Sequence, residues 1–289
     1  MRSRQSTAAF LAVVVVLLGL LGLSIPDAHA GDRNELSLYL QGTRALSDFE
    51  ALPSAPAVIE QKHLHAPAVV GMDFEVGSEK GAFFGDLHAA WLGYTASPAF
   101  GLALGPVIRV GVADLKLLLE IETNGGLDSK VQDSFLSATR WGLGGDLALV
   151  RGMLRPSLGL RWLNLSSTQI SNQENLPTKV AHDATYVLKA GLLLKLPVLQ
   201  AEGALSIYSL GKTAISSKEF AYASGRQTAL RPSVGVGVDL LAFEFWLRGA
   251  AVYPTRNDDS VEYLYMAPFY VNDNLMTKRS LTAEARIKW

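Results

Sequence analysis

From Asn34 to the last residue, apolar side chains recur at every second position, broken at intervals by clusters of turn-forming residues. A period of two is strand spacing, because successive side chains of an extended chain point to opposite faces. The final segment shows it most plainly. Leu281, Ala283, Ala285, Ile287 and Trp289 share one face, and Thr282, Glu284, Arg286 and Lys288 share the other. A charge at every second position requires two environments, one on each side of the sheet.

Beyond the first thirty residues no stretch is long and apolar enough for a spanning helix. If the chain enters a membrane it does so as strands, whose backbone groups are satisfied in hydrocarbon only when the sheet closes. Residues 1–30 predict export. They carry Arg2 and Arg4, an apolar run from Phe10 to Leu23, the helix-breaking pair Ile25-Pro26, and Ala28-His29-Ala30 before Gly31. That layout is a cleavable secretory signal peptide, so residues 31–289 are expected to form the mature chain. An uncleaved N-terminal anchor is the competing reading.

Alternation places strands at 34–42, 66–76, 82–94, 99–112, 115–123, 137–150, 155–165, 184–196, 199–210, 228–241, 243–253 and 277–289. The expected fold is therefore all-β, a single up-and-down antiparallel transmembrane β-barrel of twelve strands. Ten or fourteen follow if 115–123 or 259–271 is miscounted. Most segments reach the 9–11 residues that a tilted strand needs to cross a bilayer. Short reversals are expected around 77–80, Ala113-Asp114, Arg151-Gly152, Pro197-Val198 and Leu241-Ala242. Long polar connections are expected at 43–65, 124–136, 166–183, 211–227 and 254–276. Thr95 to Pro98 is short where the pattern asks for a long one. Short turns on one rim and long loops on the other are the habit of outer-membrane barrels.

Periodicity alone leaves open whether the apolar face meets lipid or a core, as in a soluble sandwich or lipocalin-like barrel. The second face argues for lipid outside. Along 99–111 it reads Ala99, Gly101, Ala103, Gly105, Val107, Arg109 and Gly111. Along 231–239 it reads Arg231, Ser233, Gly235, Gly237 and Asp239, and along 140–146 Arg140, Gly142, Gly144 and Asp146. Small residues with sparse charges suit a confined lumen better than an open surface. Aromatic residues gather toward both ends of the apolar face: Phe74, Phe83, Phe243 and Trp289 by the short turns, and Trp91, Phe100, Trp141, Trp162, Tyr186 and Tyr253 by the long loops. Two such bands match interfacial girdles.

With these features the chain resembles bacterial outer-membrane β-barrel (porin-like) proteins, without the motif of any particular subfamily. Its end, from Leu281 through Ile287 to Trp289, is similar to the signal by which outer-membrane assembly machinery recognises unfolded barrels. The resemblance implies location in the outer membrane, escort by periplasmic chaperones, insertion by that machinery and contact with outer-membrane lipids.

Charge excludes little but is informative. Without Arg2, Arg4 and Asp27, the 26 Lys and Arg and 27 Asp and Glu become 24 against 26, so no polyelectrolyte stripe invites nucleic acid. Cysteine is absent, which removes disulfides and thiolate metal sites. No cofactor is expected. Inward cations are Arg109, Lys116, Arg140, Arg161, Lys189, Lys195, Arg231, Arg248, Arg286 and Lys288. Inward carboxylates are Glu35, Asp73, Glu75, Asp86, Glu120, Glu122, Asp146, Glu202, Asp239, Glu244 and Glu284. A dedicated ion pore would be biased to one sign. Near balance points to a narrow ion-paired lumen or a weakly selective path for a small solute. The lumen glycines leave space either for solute or for a plug, for which the apolar 52–59 is a candidate.

One pair has the look of catalysis. Asp86 and His88 lie two apart on one strand, hence on one face, and a carboxylate that orients an imidazole is what general-base catalysis uses. The competing reading is a structural lumen pair. No His-x-Ser occurs, so the phospholipase motif is missing. His63 and His65 near Glu60, and His182-Asp183, are weaker candidates for a metal or pH-sensitive rim. Three functions stay open: a pore or solute-binding barrel, a hydrolase near Asp86 and His88, and an adhesion or assembly protein acting through its long loops.

Overall fold

A computed structural model describes residues 32–48, 68–91, 99–123, 134–171, 176–216, 221–223, 226–254 and 277–289. Its strands are β1 (Asp32–Asp48), β2 (Ala68–Ser78), β3 (Gly81–Trp91), β4 (Ala99–Val110), β5 (Ala113–Thr123), β6 (Ser134–Leu149), β7 (Leu154–Ser171), β8 (Leu176–His182), β9 (Thr185–Lys195), β10 (Leu199–Leu210), β11 (Thr213–Ser216), β12 (Ala221–Ala223), β13 (Gln227–Leu240), β14 (Phe243–Ala251), β15 (Tyr253–Pro254) and β16 (Thr277–Lys288). Every pairing is antiparallel. Closure comes at two places, where β1 takes β16 on its free side and where β7 pairs with β9. The result is a closed barrel of 12 strands, namely β1 to β7, β9, β10, β13, β14 and β16.

Of the four remaining strands, β15 continues β14 along β13 after the single residue Val252, and the other three lie outside the ring. β7 runs on past its partner β9, and β8 turns back along this extension from Ser166 to Ser171. β11 and β12 add to the same ribbon. Residues 166–183 and 211–227, expected as loops, thus contain strand pairs. Their Ser and Thr side chains are compatible with extended backbone, and a ribbon beyond the ring has no lipid-facing side to impose the alternation that marks the barrel strands. His182 pairs with Thr213 in this ribbon. His63, His65, Glu60 and residues 1–31 lie outside the described residues.

Short turns join β2 to β3, β4 to β5, β6 to β7, β9 to β10 and β13 to β14. One expected reversal moves: the β4–β5 turn is Gly111-Val112, and Ala113 and Asp114 already belong to β5, where Asp114 pairs with Arg109. Gly111 takes φ of 63°, the left-handed conformation that a two-residue hairpin asks of its first central residue. Leu241 holds the same place in the β13–β14 turn with φ 63°.

The apolar stripe faces outward. Leu143, Leu158, Leu160, Val234, Val236, Phe245 and Leu247 are all exposed, with Leu160 at 59% and Val234 at 67%. A continuous belt of this kind is far larger than the apolar patches water-soluble proteins tolerate, and it fits hydrocarbon. Phe83, Phe243 and Trp289 are exposed near the short turns, and Phe100, Trp141, Tyr186 and Tyr253 near the opposite rim. Trp162 meets Trp141 edge-on, with ring centroids 4.8 Å apart. Leu281 and Ile287 are also exposed on the outer face of β16. The backbone of Trp289 exchanges hydrogen bonds with Leu36, donating at 2.9 Å and accepting at 3.3 Å, which fastens the seam between the two ends of the sheet.

Candidate functional site

With the apolar stripe outside, every second residue of each barrel strand lines the lumen, and the charged candidates fall there. Asp86 and His88 share the inner face of β3. His88 Nδ1 lies 2.8 Å from Asp86 Oδ1, and its Nε2 lies 3.4 Å from Glu122 Oε1 on β5. Tyr39 on β1 donates its hydroxyl to Asp86 Oδ2 at 2.9 Å. Arg140 on β6 puts Nη2 2.7 Å from Glu122 Oε2, an ion pair by distance that is not aligned as a hydrogen bond. A general base needs one ring nitrogen directed at the proton it removes. Here, among the described residues, each nitrogen faces a carboxylate, so the ring bridges Asp86 and Glu122. Among the described residues no group of three or more His, Asp or Glu is arranged to hold a metal ion.

A second chain of contacts crosses the β1–β16 seam. Arg286 Nη1 donates to Asp73 Oδ2 at 2.7 Å and its Nη2 to Glu284 Oε1 at 3.2 Å. Arg248 joins Glu284 at 2.7 Å and Glu202 at 2.6 Å. The Arg286 guanidinium lies 5.4 Å from the Tyr39 ring centre, which links this chain to the first. The Arg248 guanidinium lies 4.6 Å from the Trp246 ring, whose Nε1 donates to Glu244 at 2.8 Å.

Nearer the short turns, Glu75 bridges Arg109 and Lys116. Arg161 pairs with Asp146 at 2.6 Å, and Asp239 receives Lys288 at 2.7 Å and Lys195 at 3.5 Å. Arg155 donates Nε to the Gly152 carbonyl at 3.1 Å, and two further inward cations stand apart. Lys189 is exposed to the lumen and Arg231 is half-buried with Nε unpartnered; among the described residues neither has a carboxylate within ion-pair distance.

Tyr39 and Trp246 are lumen residues that the sequence reading passed over. The signal was present: Tyr39 lies in phase with Ser37, Gln41 and Thr43, and Trp246 between Glu244 and Arg248 on the polar face. Both rings lie flat, and glycines on the neighbouring strand explain why. A Cβ at Gly71 would meet the Tyr39 ring at 2.2 Å, one at Gly101 would meet His88 Nε2 at 2.0 Å, and one at Gly237 would meet the Trp246 ring at 2.7 Å. Gly144 and Gly159 make the same room for Arg161 and Asp146. These glycines therefore let large side chains fold against the wall, which neither of the two sequence readings of them foresaw.

No protein-family model matches the chain and no curated protein sequence is similar to it. Solved structures do match in three dimensions. An outer-membrane channel from Pseudomonas putida F1 superposes with a TM-score of 0.54 at 8% identity, over 92% of this chain and 100% of that one. The NanC porin gives 0.51 at 9% identity, over 87% and 100%. The fold is that of outer-membrane β-barrels. Identity this low speaks for the fold alone.

Within this barrel the lumen charges, balanced in total, are segregated around the wall. On β1 to β5 the inner face carries Glu35, Asp73, Glu75, Asp86, Asp114, Glu120 and Glu122 against Arg109 and Lys116. The rest of the ring carries Arg140, Arg155, Arg161, Lys189, Lys195, Arg231, Arg248, Arg286 and Lys288 against Asp146, Glu202, Asp239, Glu244 and Glu284. An acidic wall faces a basic one, and the field of the barrel lies across its axis.

Proposed function

We propose that this barrel lies in the outer membrane, reached by export through a signal peptide cleaved before Gly31, and acts as a passive path for small polar solutes. The observation that supports the reading is the seating of Tyr39, His88 and Trp246 against glycines of neighbouring strands, which draws these side chains toward the wall. Charged groups along the wall retain contact with water: Asp86 and Arg248 side chains are each 28% exposed although both are ion-paired. A transverse field orients dipolar solutes without strongly favouring one sign of ion. Passage through the periplasm would involve chaperones, and insertion the assembly machinery.

The test is conductance. Residues 31–289, refolded and added to a planar bilayer, should give discrete current steps proportional to voltage. A preparation that is folded in lipid yet gives no steps would refute the pore.

A further inference from the structure

We propose that Lys189 and Arg231 form a lumen subsite for a small oxyanion, a carboxylate or a phosphate, which rests on the channel reading for its physiological meaning but not for its chemistry. The contrast with the rest of the wall carries it. Each of the other inward cations expected from the sequence pairs with a carboxylate, as described above, whereas among the described residues these two have no such partner.

They are also neighbours. The register aligns Lys189 of β9 with Ser206 of β10, and Ser206 with Arg231 of β13, so all three share one inner-face row. Two interstrand spacings put the Lys189 and Arg231 Cα atoms about 10 Å apart, within reach of one ligand for side chains this long. Ser206 between them is small and 2% exposed, leaving both side chains room to lean together. The next row is Gly191, Ala204 and Ser233, which projects nothing bulky beside them. Arg231 Nε is buried without a partner, an arrangement that is costly unless an acceptor comes to it. Two unneutralised cations in a confined space raise each other's energy, and an oxyanion relieves both the repulsion and the unmet donor.

The site lies toward the long-connection half of the lumen, four residues from the ends of β9, β10 and β13 at Thr185, Leu210 and Gln227. Along β10 and β13 an anion entering from that rim would meet it before the ion pairs of Glu202 and Asp239. Arginine offers a fork to two oxygens and lysine a point charge, a combination that suits a carboxylate or phosphate better than a spherical halide.

Calorimetric titration of the refolded barrel in detergent, at low chloride, tests the subsite without requiring conduction. Inorganic phosphate and malonate serve as separate probes and tell the two oxyanion chemistries apart. Wild type should bind at least one of them. Lys189→Gln and Arg231→Gln should each weaken binding about tenfold or more, and the double variant should abolish it. Arg231→Lys should retain part of the affinity and guards against loss of folding, which circular dichroism monitors. Absence of binding by wild type, or equal binding by the double variant, overturns the subsite. In bilayers the same anions should reduce wild-type current and leave the double variant's current unchanged. A barrel that binds phosphate but never conducts would defeat the pore reading and leave the subsite standing.

Discussion

The ring of Tyr39 lies on Gly71 of the next strand, so close that a Cβ there would sit 2.2 Å from Tyr39 Cζ. The far end of a side chain can yield where a backbone cannot. Gly71→Ala should therefore leave the barrel folded but swing Tyr39 off the wall, breaking its bond to Asp86 and narrowing the lumen. Single-channel conductance should fall, and Gly71→Ala/Tyr39→Ala should restore it. An unchanged conductance in Gly71→Ala would show that Tyr39 does not border the path.

His88 sits between two carboxylates, which makes a different forecast from a catalytic base. His88→Ala should change no hydrolytic activity on esters. It removes the group that bridges Asp86 and Glu122, so the acidic wall should draw cations more strongly and the reversal potential in a salt gradient should move toward cation preference. Loss of a measurable ester hydrolysis in this variant would instead support the enzyme reading.

Arg286 holds Asp73, which stands directly across from Asp86 in the β2–β3 register. Without the guanidinium, opposed carboxylates repel and Glu284 loses one of two partners. Arg286→Ala should lower stability by roughly 1–3 kcal/mol, the usual cost of leaving a charged partner unmet. Arg286→Lys should fall between, because an ammonium cannot reach both acceptors as a fork does. Urea midpoints in lipid vesicles measure both. Asp73→Asn should recover part of the loss in a double variant.

Leu143 is exposed on the outer face of β6, away from both ends of that strand's barrel segment. Leu143→Arg should destabilise the vesicle-inserted barrel by about 2–4 kcal/mol, the penalty for a cation deep in hydrocarbon. A variant that kept full stability would place this face in water.

Trp289 combines an exposed ring with a backbone that closes the seam on Leu36. Trp289→Ala retains that backbone pairing. If the terminal aromatic is an assembly signal, the variant should refold in detergent at near-parental yield yet accumulate poorly in the outer membrane of cells. Equal deficits in both settings would assign the ring a structural role only.

How much of this was legible depends on the range of each interaction. Strand positions, the twelve-strand count and the outward face of Leu281, Ile287 and Trp289 follow from alternation, which is local to each strand. Asp86 and His88 could be paired from a spacing of two. Glu122 could not be joined to His88, nor Asp73 to Arg286 across 213 positions, because register between distant strands sets those contacts. The ribbon of β8, β11 and β12 escaped because strands of 7, 4 and 3 residues are too short to display a period of two.

By itself, the sequence determined that the chain forms two-faced strands, and which face of each is apolar, because side-chain direction in an extended chain depends only on parity. Only the tertiary structure decided which carboxylate meets which cation, that lumen glycines seat the rings of Tyr39, His88 and Trp246, and that balanced charges separate into two walls. Closure fixes the order and stagger of the strands around the ring, and neither is written in any single segment.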